Sequence, residues 1–197
     1  MLSDQDIFKR FQEKHIEFSK IADVSLVGHS LFDMWENQEG GTPRLAGKTV
    51  ANLGLSGVSA RQYLDVIVRP KHIRQLGRDV FIFLGVNDIV KERAYSPKQL
   101  LNWLVDIIDC FKQISPQSRY YLLETTPVNQ ISTVDNPAIR QLNTHLVNNL
   151  PADVIFVPTW DRFVNNEGKL DLTLCHDGLH FSTQGYAILQ DILERQL

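Results

Sequence analysis

The sequence predicts an α/β protein, a parallel sheet of five strands with helices packed on both faces. Three observations carry that prediction. Five short apolar runs are continuous rather than alternating, as strands covered on both faces are. Helical patterns separate them, and alternation of strand and helix implies parallel pairing through crossovers. The chain has 197 residues, 43% of them hydrophobic and 22% charged, an ordinary globular composition for one domain spanning residues 1–197 that buries roughly 70% of its unfolded surface.

A helix is expected first, from Ser3 to Lys20. The strand runs are "DVSLVG" from Asp23, "TVANLG" from Thr49, "DVFIFLG" from Asp79, "YYLLET" from Tyr120 and "DVIFVP" from Asp153. A second helix is expected from Ser59 to Val68. The clearest is "SPKQLLNWLVDIIDCFKQI", where Ser96 is the N-cap, Pro97 takes the first helical position and Gln99 completes a capping box. Leu100, Leu101, Leu104, Ile107, Ile108 and Phe111 repeat there at helical spacing and form a core stripe. Further helices are expected from Pro137 to Asn149 and from Ser182 to Gln196.

Several classes of function are disfavoured. No segment approaches the roughly 20 apolar residues of a membrane span. The opening "MLSDQDIFKRFQEKHIEF" lacks the order of a signal peptide, and there is no Asn-x-Ser/Thr site, so a cytoplasmic protein is expected. Cys110 and Cys175 are too few for a disulfide framework. A net charge of −3 with both signs interspersed offers no basic stripe for nucleic acid. A small-molecule partner remains.

In parallel sheets ligands bind outside the carboxyl ends of the strands. The polar residues there are Gly28, His29 and Ser30; Asn52, Gly54 and Ser56; and Gly85, Asn87 and Asp88. The loop "CHDGLHFS" before the last helix adds His176, Asp177 and His180. An acyl-transfer site needs a nucleophile, a base, a group that orients the base and donors aimed at an oxyanion. Ser30 supplies the hydroxyl. His180 is an imidazole, ordinarily poised near pH 6.5, and Asp177 three residues earlier can hold its ring. The backbone amides of Ser30 and Gly54 and the side-chain amide of Asn87 are the expected oxyanion donors. His29, Phe32 and Leu55, with Trp35 nearby, are candidate pocket residues.

Four blocks also resemble the GDSL-type, or SGNH, hydrolases: "GHSL" at Gly28 to Leu31, "NLGLSG" at Asn52 to Gly57, "GVND" at Gly85 to Asp88 and "DGLH" at Asp177 to His180. They occur in order from residue 28 to residue 180. The resemblance implies a flavodoxin-like three-layer α/β/α fold, a triad of Ser30, Asp177 and His180, and an oxyanion hole of Ser30, Gly54 and Asn87. It implies a serine esterase that forms an acyl-enzyme on a small ester and requires no cofactor. His29 departs from the pattern, standing where the family has aspartate. Lipid acyl, acetylated sugar and platelet-activating-factor-like esters all stay open as substrates, as does the oligomeric state.

The alternative is a non-catalytic flavodoxin-like module that binds a ligand or partner at the same rim, its site degenerate at His29. A nucleotide or flavin protein is disfavoured, because in "GTPRLAGKT" five residues rather than four separate Gly41 from Gly47 and a strand follows. "GLSGV" is not Gly-x-Ser-x-Gly, so Ser56 is not the nucleophile. His176 and His180 could join His29 on zinc, but no further ligand completes a closed site, and no metal is expected. His15, His72 and His145 are expected to be solvated.

Overall fold

The computed structural model describes residues 2–197. Five strands, β1 (Val24–Gly28), β2 (Val50–Gly54), β3 (Asp79–Phe83), β4 (Arg119–Leu123) and β5 (Val154–Val157), form one sheet in the order β2-β1-β3-β4-β5. Every pair is parallel. Gly28 stands opposite both Gly54 and Phe83, so β1, β2 and β3 end level and the loops after them share one rim. Strand order reverses between β1 and β3, the switch point at which such sheets open a crevice.

The helices are α1 (Asp4–Glu13), α2 (His15–Phe18), α3 (Ser30–Asp33), α4 (Ala60–Gln62), α5 (Val86–Lys91), α6 (Pro97–Ile114), α7 (Asn136–Asn149), α8 (Trp160–Phe163) and α9 (Thr183–Glu194). Alternate strand residues point to opposite faces. Val27, Leu53, Val80, Ile82 and Leu122 pack beneath α1, α2, α6 and α7, and Leu26, Phe81, Phe83, Tyr121 and Leu123 beneath α3, α8 and α9. The result is the expected three-layer α/β/α sandwich. β1, β2 and β3 are buried along their whole length, β4 is exposed only at its first residue, Arg119, and the edge strand β5 exposes Ile155.

Several boundaries differ from expectation. The N-terminal helix breaks at Lys14, whose side chain turns inward to 5% exposure instead of joining the solvated face. After α4 the chain widens into a π-helix, Tyr63–Val68, with the buried Tyr63 hydroxyl donating to Leu53 O at 2.9 Å. The capping box that opens α4 is complete: Ser59 accepts from Gln62 N–H at 3.1 Å and Gln62 returns to Ser59 N–H at 3.4 Å. In α6 Ser96 accepts from Gln99 N–H at 3.1 Å, but the Gln99 side chain makes no return bond, so half of the expected box is absent. The α6 stripe is buried throughout as expected. The short α3, α5 and α8 follow strand ends directly and are too brief to show a helical period.

Candidate active site

Ser30, the first residue of α3, stands at the carboxyl end of β1 with 7% of its surface exposed. His180 and Asp177 reach it from the loop before α9. An antiparallel bridge between Cys175 and Phe181 closes that loop, and His176 N–H donates to His180 O across it at 2.8 Å. Its tip is pinned where Asn129 N–H donates to Gly178 O at 2.9 Å. Gly178 has φ +83°, and an added Cβ would lie 1.7 Å from Asn129 O, so no side chain fits there.

The three side chains form one chain of hydrogen bonds. Asp177 Oδ2 lies 2.6 Å from His180 Nδ1, and His180 Nε2 lies 3.0 Å from Ser30 Oγ. Asp177 Oδ1 also accepts from the backbone amides of Leu179 at 3.0 Å and His180 at 2.8 Å, which locks the carboxylate against the ring. Burial pushes the Asp177 carboxyl up, but the His180 ring and these two amides more than offset it and hold it below its usual range. An ionised carboxylate only accepts, so Nδ1 carries the imidazole proton and Nε2 presents its lone pair to the Ser30 hydroxyl. That is the protonation pattern a general base needs.

The rim opposite Ser30 is the loop from Leu55 to Val58, held at four points. Leu55 N–H donates to Gly28 O at 2.9 Å and Ser56 N–H to Asp33 Oδ2 at 2.7 Å. Lys91 Nζ donates to Gly57 O, and Asn87 Nδ2 donates to Val58 O at 3.0 Å. The Asn87 amide has a second N–H beyond that bond. Buried Asp88 accepts from Ala60 N–H at 2.9 Å and so fixes the start of α4 behind the loop; burial pushes its carboxyl up to about 7.

Gly54 does not stand where the sequence suggested. Its N–H donates to Asn52 Oδ1 at 3.1 Å, and an added Cβ would lie 2.4 Å from Asp33 N. Gly54 is therefore a packing glycine that lets β2 and α3 touch. By contrast, the amides of Ser30 and Gly57 have no acceptor among the described residues. The second glycine of "NLGLSG" was the overlooked signal.

The candidate pocket residues are core. Phe32 and Leu55 are fully buried on opposite faces of the sheet, and Trp35 stacks on Tyr186 with ring centroids 5.2 Å apart. His29 is 1% exposed, tilted against Phe83, and its Nδ1 accepts from Leu31 N–H at 3.3 Å. The proton of this ring therefore sits on Nε2, which has no partner among the described residues. Burial, with His180 nearby, pushes the His29 imidazole down to about 3. His29 braces the turn and does not carry charge. Of the three histidines expected to be solvated only His15 is exposed; His72 stacks on Phe11 at 4.7 Å and His145 is half-buried, contrary to expectation.

A neutral buried His29 makes the fold acid-sensitive. The unfolded chain binds its proton below about pH 6.5 and the folded chain does not, so this contribution is complete above 6.5 and is lost as pH falls toward 3. At pH 5 the loss is about 2 kcal/mol. His29→Ala should therefore lower the melting temperature at pH 7, yet show a smaller further drop between pH 7 and pH 5 than the native chain. It should keep Ser30 reactive toward a fluorophosphonate. Equal pH slopes in thermal melts would contradict this assignment.

Beside the loop that carries Asp177 and His180 lies an open groove of about 620 Å³ that includes Asn129, Asn136, Arg140 and Lys169 among its lining residues. Arg140 is exposed, with its guanidinium over the Trp160 ring at 5.0 Å. Leu179, between Asp177 and His180, packs on the same apolar cluster as Trp160, Val128 and Val134.

The GDSL-like Lipase/Acylhydrolase family matches residues 26–188. An N-acylneuraminate cytidylyltransferase of Escherichia coli O18:K1:H7 is 33% identical over 187 residues, which is 95% of this chain and 43% of that protein. The chain thus spans less than half the length of that curated relative. Among solved structures, a Streptococcus pneumonia protein described as a candidate platelet activating factor superposes with TM-score 0.79 at 23% identity, covering 98% of this chain and 95% of that one. A GDSL-like lipase of Bacteroides thetaiotaomicron superposes with TM-score 0.75 at 18% identity, covering 96% of each. These likenesses show a shared fold.

Proposed function

Because the chain belongs to the GDSL-like lipase/acylhydrolase family, we propose that it is a serine ester hydrolase that works through an acyl-enzyme on Ser30. The observation that carries the reading is the unbroken chain from Asp177 through His180 to Ser30 Oγ, with bonds of 2.6 Å and 3.0 Å. Ser30 Oγ attacks the acyl carbonyl while its proton passes to His180 Nε2. The tetrahedral oxyanion is received by the Ser30 and Gly57 backbone amides and the second N–H of Asn87. On collapse, His180 Nε2–H protonates the departing alcohol oxygen and the acyl group stays on Ser30. Water then attacks the acyl-enzyme, gives its proton to His180, and the same proton returns to Ser30 Oγ as the acid leaves. Protein groups and water carry every proton of the cycle. Hydrolysis of 4-nitrophenyl acetate with a burst of nitrophenol, one equivalent per chain, tests the reading; a folded protein with neither burst nor turnover would favour the non-catalytic module.

For the substrate we propose an acyl ester on a sugar acid. The relatives are named for N-acylneuraminate, an acylated sugar that bears a carboxylate. Arg140 in the adjoining groove stacks over Trp160 and has no carboxylate partner among the described residues, so its guanidinium can bind one. Arg140→Ala should raise KM for an acetylated sugar acid several-fold more than for 4-nitrophenyl acetate. Equal effects on both esters would remove the groove from the account.

A further inference from the structure

Asp33 is the most heavily bonded side chain near the site, and the proposed chemistry leaves it unused. It is 1% exposed and lies one turn beyond Ser30 on α3. Its Oδ2 accepts Ser56 N–H at 2.7 Å, the amide immediately before Gly57. On its other side it is gripped from α1 and from the break after it. Lys14 Nζ lies 2.7 Å from Asp33 Oδ1 and also donates to Gly54 O at 3.0 Å. Arg10 forks onto both oxygens, Nη2 to Oδ1 at 2.8 Å and Nε to Oδ2 at 3.2 Å. Glu36 closes the network, 2.6 Å from Arg10 Nη2 and 3.1 Å from Lys14 Nζ. Burial pushes the Asp33 carboxyl up, and Arg10, Lys14 and the Ser56 amide together hold it below its ordinary value, so it stays ionised.

An ion pair this deep is costly to desolvate and is weak evidence for stability. It has a specific geometric result here. One carboxylate ties the helix that carries the nucleophile to the loop that carries a proposed oxyanion donor, and two cations fix its position. We propose that Asp33, clamped by Arg10 and Lys14, is a positioning residue that aims the Ser56–Gly57 peptide at the oxyanion; this rests on the acyl-enzyme reading. Both cations of the device, Arg10 and Lys14, lie outside the matched family segment, since they precede residue 26. Helix α1 and the break that follows it are thereby part of the active-site scaffold and not only a cover for the sheet.

A donor aimed at the oxyanion acts in the transition state and little in the ground state. Asp33→Asn keeps the shape of the side chain but loses its charge, so the grip of Arg10 and Lys14 slackens. With 4-nitrophenyl acetate, kcat should fall about 10- to 100-fold while KM changes less than about threefold. Phenylboronic acid, which forms a tetrahedral adduct on the serine, should weaken in step with kcat. A purely structural role would lower the melting temperature without that parallel. Arg10, about one-third exposed, gives a second variant that tolerates replacement: Arg10→Met should lower kcat about 3- to 10-fold with the same loss of boronate affinity. If Asp33→Asn does not fold, Arg10→Met decides the question. Unchanged kcat and boronate affinity in the folded variants, measured against an active native chain, would overturn the inference alone. A native chain that neither hydrolyses the ester nor labels with fluorophosphonate would overturn the acyl-enzyme reading and the inference with it.

Discussion

Ser30→Ala should lower kcat for 4-nitrophenyl acetate by at least about three orders of magnitude and abolish fluorophosphonate labelling, because no acyl-enzyme can form. The fold should survive, since Ser30 contributes a small hydroxyl whose hydrogen-bond partner among the described residues is His180. The informative comparison is Ser56→Ala. Ser56 meets the network through its backbone amide to Asp33, and that bond needs no particular side chain. Its loss should change kcat less than about fivefold. A lethal Ser56→Ala beside a mild Ser30→Ala would reverse the assignment of the nucleophile.

The second large effect should come from Asp177→Asn. The carboxylate accepts from the His180 ring and from two backbone amides, so its ionised form is favoured in the fold. An asparagine can turn an N–H toward Nδ1, which shifts the imidazole proton to Nε2 and removes the lone pair facing Ser30. A loss of roughly 10²- to 10⁴-fold in kcat is expected, by analogy with the serine-protease triad. Asp177 is 53% exposed, so solvent has access to the pair and the loss falls toward the lower end of that range. The rate of the native chain should rise as pH is raised, and the residual rate of the variant much less. Steady-state rates across pH 5 to 8 for both proteins check this, and parallel profiles would contradict the role given to Asp177.

The layers of the fold were legible because both faces of the sheet are covered, so each strand is an unbroken apolar run. The same logic located β5 but missed its exposed face, since edge position depends on strand order. The break at Lys14 was not legible. A lysine on an amphipathic helix reads as solvated until the carboxylate that draws it inward, nineteen residues away, is in view. The residues proposed as the triad stood out because each ends a strand or fills a loop at the rim. Gly54 misled because "NLGLSG" contains two glycines and only geometry separates the one that packs against Asp33 from the one with an unbonded amide. Phe32 and Leu55 misled for a related reason: adjacency to a nucleophile in sequence turns a side chain into the core as readily as toward a ligand. Arg140 carried no local signal, because the groove is assembled from segments around residues 128–140 and 167–169.

The central claim is that Ser30 becomes covalently acylated with His180 as its base. Mass spectrometry of the chain quenched in acid during turnover of 4-nitrophenyl acetate measures this directly. The account predicts a mass increase of one acetyl group, mapped to the peptide that carries Ser30, and its disappearance in Ser30→Ala and in folded His180→Ala. An adduct on another residue, or one that persists in His180→Ala at the native rate of formation, would contradict it.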